Sequence, residues 1–192
     1  MFRFQPRAPF DLTVYDGDNV GPQGPPLSQG FILSLISLVA SEHCKPETLE
    51  MLDQLETYSW YHGQNLETIL TEMEELNPTL VIDIGKNIYY SLRSQFVAMN
   101  IHTPEDVILT LPEVWKVVTR GDSGWWKSHI PRPYFAIVEA QQPYNCLYEQ
   151  GALQGSIEAF EAQDVHVEHV TCMRRGDSCC TFEISWKPLS IL

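Results

Sequence analysis

Two periodicities divide the chain. Between residues 28 and 119, apolar residues recur at helical spacing. FILSLISLVASEH follows Ser28 as a predicted N-cap, PETLEMLDQLETY opens at Pro46, and NLETILTEMEEL comes next. PTLVIDIGKNIYYSLRSQFVAMN opens at Pro78, and TPEDVILTLPEVWKVV opens at Thr103 and Pro104. Pro112 is expected to kink or split that last piece, because proline lacks the N–H a helix interior needs. From about residue 121 the period shortens. GWWKSHI and RPYFAIVEA are rich in aromatic and β-branched residues and predict strands, with YNCLYE as a short third strand. EQGALQGSIEAFEAQ returns to helical spacing. DVHVEHVTCM and CCTFEISW alternate around the turn residues RRGDS, which predicts a hairpin. The expected fold is α+β: a helical N-terminal half followed by an antiparallel sheet with one helical crossover.

Residues 1–27 carry Pro, Gly and Asp without a period and predict a loop or tether; residues 28–192 predict a single α+β ligand-binding domain. A length of 192 residues suits that count, and 44% hydrophobic residues suffice for a core. The formal net charge of −13 argues against a nucleic-acid backbone and against an anionic membrane surface. The longest apolar stretch, FILSLISLVA, is too short to span a bilayer, and the N-terminus has no secretory pattern. The expectation is a cytoplasmic protein with reduced thiols. Gly85-Lys86 lacks the glycine and hydroxyl flanks of a phosphate loop, and the two RGDS runs are turn chemistry. No nucleophile–base pair and no dinucleotide fingerprint is visible, so the chain is not expected to be an enzyme.

Chemistry-bearing residues gather near the end. Cys146, Cys172, Cys179 and Cys180 follow residue 145, with His166, Glu168 and His169 on the strand before Cys172. Zinc takes four ligands from thiolate, imidazole and carboxylate, and the hairpin brings Cys172 near Cys179 or Cys180. Register decides which. Pairing Val165, Val167 and His169 with Trp186, Ile184 and Phe182 makes an apolar face and sets Cys172 against Cys179 on the other face, with Glu168. A bulged turn pairs Cys172 with Cys180 instead. Buried cysteines packing as small hydrophobes, or a Cys172–Cys180 disulfide, are the alternatives. Trp115, Trp125, Trp126, Tyr134 and Phe135 crowd the helix–sheet junction, where a cavity or a plain aromatic core would form.

The tail EHVTCMRRGDSCCTFEISW, taken with Cys146, resembles the 4-vinyl-reductase domain family, within a wider group that includes the haem-nitric-oxide-binding domains and a vesicle-tethering family. The resemblance covers roughly residues 28–187 in organisation and is specific between 132 and 186. It implies a structural zinc held at positions matching Cys146, His169, Cys172 and Cys180, with His169 standing where the family has glutamate. It implies a small hydrophobic or aromatic ligand, with His102, Trp115, Trp125 and Tyr134 as candidate contacts. The haem-binding relatives hold iron through a helix histidine and bind propionates with Tyr-x-Ser-x-Arg. Here Trp115 stands near that histidine, and Tyr144, Cys146 and Tyr148 occupy the motif, so haem is the less favoured cofactor. The expected function is a small-molecule sensor or carrier domain with a zinc-clamped hairpin, signalling through a homodimer or a protein partner. A haem-based gas sensor or thiol redox sensor is the alternative, and a protein-interaction module the further one.

Overall fold

The computed structural model describes residues 3–188. Strand β1 (Leu27–Gln29) leads into α1 (Gly30–Ala40), followed by α2 (Pro46–Asp53), β2 (Trp60–His62) and α3 (Gln64–Leu76). Then come α4 (Pro78–Ser91), α5 (Arg93–Ala98) and α6 (Pro104–Val118). The C-terminal part runs β3 (Thr119–Arg120), β4 (Trp125–Arg132), β5 (Phe135–Gln141), α7 (Cys146–Glu158), β6 (Gln163–Thr171) and β7 (Cys180–Lys187). The four-stranded antiparallel sheet has the order β4-β5-β7-β6. The α+β expectation, including the helical crossover between β5 and β6, is the observed architecture.

Helix starts follow their local chemistry. Thr103 and Asp106 form a capping box ahead of α6, and the Asn77 side chain accepts from Thr79 N–H at the start of α4. Three expectations are corrected. Ser28 lies in β1 and Gln29 is the N-cap of α1. Pro112 does not split α6, which runs unbroken to Val118. A proline at 112 leaves the carbonyl of Ile108 without its helical donor. Ser128 Oγ on β4 donates to that carbonyl at 2.5 Å, so the sheet supplies the missing bond. YNCLYE is not a strand. Asn145 Oδ1 accepts from the N–H groups of Leu147 and Tyr148, and this cap starts α7 at Cys146.

A second small sheet, β2-β1-β3, joins three short segments distant in sequence. The segment before β1 is tied down at several points: Asn65 bonds the backbone of Asp11, and Tyr15 bridges to Trp60. Helix α7 lies tightly along α4. A Cβ on Gly85, Gly151 or Gly155 would meet a backbone carbonyl of the facing helix at 1.9–2.2 Å. Only glycine permits that approach. On the sheet, Ala136, Val138 and Ala140 of β5 and Cys180, Phe182, Ile184 and Trp186 of β7 are buried. Their alternation with less buried neighbours marks one inward face.

Candidate functional site

Two features stand out inside this frame: a sulfur–imidazole cluster under the β6–β7 hairpin, and small cavities between the helices.

The hairpin register explains the cluster. Val167 pairs with Ile184 and His169 with Phe182, but the register then shifts and Thr171 pairs with Thr181. This one-residue bulge changes parity after His169. Cys172 therefore returns to the inward face with His169 and Cys180, where a regular ladder would have placed Thr171. Cys179 stays outside the group, and Glu168, opposite Glu183, is exposed. The turn is closed from within: Cys172 N–H donates to Asp177 Oδ2 at 2.7 Å, and Asp177 N–H returns to Cys172 O at 3.2 Å. Cys146, the first residue of α7, meets the hairpin from across the core. Glu74 of α3 fixes that meeting, accepting from Asn145 Nδ2 at 2.7 Å and from Arg174 Nη1 at 2.8 Å. One carboxylate thus links the α7 cap to the hairpin turn.

The ligating atoms of Cys146, His169, Cys172 and Cys180 all lie within 4.8 Å of one another. With metal–sulfur bonds near 2.3 Å, a tetrahedral zinc site has sulfur–sulfur edges of about 3.8 Å. The cluster is of that size. Cys146 and Cys180 sulfurs are 3.2 Å apart, with one thiol donating to the other. That contact pushes the Cys146 thiol up and the Cys180 thiol down, with His169 also favouring the Cys180 thiolate. The His169 ring stacks on Phe182 at 4.5 Å. Its Nε2 is buried and, the Cys180 sulfur apart, has no hydrogen-bond partner among the described residues. A buried imidazole nitrogen facing three cysteine sulfurs is the donor set of a Cys3His zinc site.

A cavity of about 40 Å³ lies between α4–α7 and β4, walled by Tyr89, Leu111, Trp115, Trp126 and Leu153 with Glu149 beside them. A smaller one, about 20 Å³, adjoins Ser28, Trp115, Tyr144 and Tyr148. Glu149 is buried, and desolvation, with the nearby Cys180 and Glu67, pushes its carboxyl up to about 8. Trp126 Nε1 is buried without a hydrogen-bond partner among the described residues. Of the four expected ligand contacts, only Trp115 lines these cavities. Trp125 points outward and bonds Gln141, because strand parity turns Trp126 inward instead. His102 is exposed beside Asn100 before α6. Tyr134 is 44% exposed at the far end of β4–β5, packed on Trp186. These three do not share a cavity with Trp115. The sequence reading missed Glu149 as a candidate; its only signal was being the one charged residue between Glu139 and Glu158.

The residues that a haem would use do not fit one. Trp115 Nε1 donates to Ser123 O. The Tyr144 hydroxyl accepts from Ser28 Oγ and donates to Leu27 O. Cys146 turns to Cys180, and Tyr148 brings no cation. No histidine lines either cavity.

No protein-family model matches the sequence, and no curated protein matches it. Solved structures do. An H-NOX protein from S. oneidensis in the Fe(II)NO ligation state superimposes with a TM-score of 0.67 at 17% identity, covering 83% of this chain and 99% of that one. The Fe(II) unliganded H-NOX protein from K. algicida gives 0.57 at 11% identity, covering 85% and 98%. The comparisons reach the wider haem-nitric-oxide-binding group and not the 4-vinyl-reductase family. This chain has the H-NOX fold, over nearly the whole length of those proteins.

Proposed function

We propose that the chain is a small-molecule sensor or carrier domain whose C-terminal hairpin is clamped by a structural zinc on Cys146, His169, Cys172 and Cys180. The observation that carries the reading is the convergence of those four ligand atoms within 4.8 Å, with His169 Nε2 buried among them. Four protein ligands leave no open position, so the metal would hold α7 to the hairpin rather than do chemistry. The ligand would enter between Trp115 and Trp126, an apolar space with Trp126 N–H and the Glu149 carboxyl as its polar handles. At about 40 Å³ it suits a molecule of a few heavy atoms; an aromatic ring requires those walls to move. The output would pass through a homodimer or a protein partner. No described helix is long and apolar enough to cross a membrane. The test is native mass spectrometry of the purified protein beside denaturing mass spectrometry. A zinc-sized increment lost on denaturation supports the reading; a bare native mass with all thiols free refutes the clamp. Xenon and benzene, added while Trp115 and Trp126 fluorescence is followed, test the cavity.

The solved neighbours favour a second reading, a haem-based gas sensor, since two structures of the S. oneidensis H-NOX protein are in the Fe(II)NO and Fe(II)CO ligation states. It requires an iron ligand other than Trp115, and a Soret band after expression with haem supply decides it. The 3.2 Å Cys146–Cys180 contact favours a third, a thiol redox sensor, which predicts a reversible disulfide between those two residues.

A further inference from the structure

Residues 3–11 form no helix or strand, yet α3 holds their main chain at every third residue. Gln5 N–H donates to Gln64 Oε1 at 2.9 Å, and Gln64 Nε2 donates to Gln5 O at 2.7 Å. Asp11 makes the same pair of bonds with the Asn65 side chain, at 2.9 and 2.7 Å. The Thr68 hydroxyl accepts from Ala8 N–H and donates to Ala8 O, each at 3.3 Å. Arg7 pairs with Glu75 at the surface. Each of these bonds replaces one that a free arm makes with water, so their net hold is modest.

The apolar anchor of the arm is Phe4. Its ring stands edge-on to Tyr144, with centroids 5.2 Å apart. Gly63, the N-cap of α3, makes the seat: a Cβ there would lie 2.8 Å from both rings. Tyr144 in turn stands edge-on to Trp115 at 5.6 Å, and Trp115 tilts against Trp126 at 5.4 Å. An unbroken row of rings, Phe4–Tyr144–Trp115–Trp126, thus joins the arm to the wall of the apolar cavity. Voids border the inner rings. Trp115 lines both the cavity of about 40 Å³ and that of about 20 Å³. Tyr144 lines the second and also a cavity of about 270 Å³, which Phe4 walls together with Arg3 and Pro6. A ring bordered by voids can shift without the overpacking cost that a filled core imposes.

We infer that the N-terminal arm is the output strap of this domain. A molecule larger than the apolar cavity displaces Trp126 and Trp115; the displacement passes to Tyr144, and Phe4 leaves its seat, freeing residues 3–11 from α3. The inference rests on the reading of that cavity as the ligand site, and supplies the element that carries its signal to a partner.

Benzene is the probe, added to the full chain. Tryptophan fluorescence reports its binding, and amide exchange by NMR reports the arm. With benzene bound, the Gln5, Ala8 and Asp11 amides should exchange at least tenfold faster. The Cys172 amide, bonded to Asp177, should keep its rate. In Phe4→Ala, shown to be folded by its melting curve, the three arm amides should exchange fast with or without benzene. Benzene bound with unchanged arm rates overturns the strap and leaves the cavity reading standing. Unchanged fluorescence removes the cavity reading, and Phe4→Ala alone then judges the row of rings. It must shift the indole N–H resonances of Trp115 and Trp126 and leave that of Trp125 in place. A shift upholds the coupling; unmoved Trp115 and Trp126 resonances overturn it.

Discussion

Replacing Gly151 by alanine tests how the helix pair sets the cluster. A Cβ there would sit 1.9 Å from Ile82 O and 2.9 Å from Lys86 N, both backbone atoms of α4. Ordinary contact begins near 3.4 Å, so α7 and α4 must separate locally by about 1.5 Å. No side-chain rotation relieves a clash with a carbonyl. Overpacking typically costs about 1–3 kcal/mol, and a clash with backbone atoms belongs at the upper end, about 3 kcal/mol. The better helix propensity of alanine returns about 1 kcal/mol, so the net loss should be about 2 kcal/mol. In a domain of this size, each kcal/mol lowers Tm by about 2–4 °C, which gives a fall of about 4–8 °C by calorimetry. Cys146 lies five residues earlier on the same helix, about 7.5 Å along its axis. The shift should therefore also pull its sulfur from Cys172 and Cys180 and weaken zinc binding in a chelator competition. Gly21→Ala is the control, since nothing lies within 4 Å of its Cβ, and both readouts should be unchanged. A Gly151→Ala protein as stable as the parent would refute the packing argument. A lowered Tm with undiminished zinc affinity would refute the link from α7 to the cluster.

Cys172→Ser should lower thermal stability and metal content together, checked by melting curves and elemental analysis; loss of neither counts against the clamp. Ser128→Ala strands the buried Ile108 carbonyl that Pro112 cannot serve, so denaturant unfolding should show a loss of about 1–3 kcal/mol. Ser128→Ala made together with Pro112→Ala should recover most of it. Glu74→Ala removes the shared acceptor of Asn145 and Arg174 and should cost about 1–2 kcal/mol, with weaker zinc retention. Glu149 has its carboxyl raised from 4.5 to about 8 in the folded state. Its contribution is present in full below the unfolded value and is lost as pH rises through the folded one. Glu149→Gln should therefore remove a falling limb of stability between about pH 4.5 and 8, worth up to several kcal/mol. Equal pH slopes in parent and variant, measured by urea unfolding, would contradict this.

Local signals carried most of the fold. Thr103, the prolines at 46, 78 and 104, and the alternation on β6 and β7 are each written within a few residues, and those elements start near where the pattern puts them. What was hidden depends on partners far along the chain. The β2-β1-β3 sheet joins residues near 28, 61 and 119 through strands of two or three residues, too short to show a period. YNCLYE has the aromatic content of a strand, yet the cap at Asn145 outweighs it, and the glycines at 151 and 155 fit the segment against α4. Pro112 lies unbroken in α6 because a hydroxyl on another element serves its orphan carbonyl. The cluster shows the same division. Cysteine and histidine content marked the region, but whether Cys172 faces Cys179 or Cys180 turns on one unpaired residue in β6, which no residue type announces. The bulge carries Cys172 to the inner face beside His169 and Cys180, and the Glu74 link holds Cys146 opposite them. Parity likewise separates Trp125 from Trp126: two adjacent, chemically equal residues, of which only the second reaches the cavity. The sequence therefore names the chemistry of a site more readily than its geometry. The geometry here is set by a bulge, a capping asparagine and one carboxylate on α3.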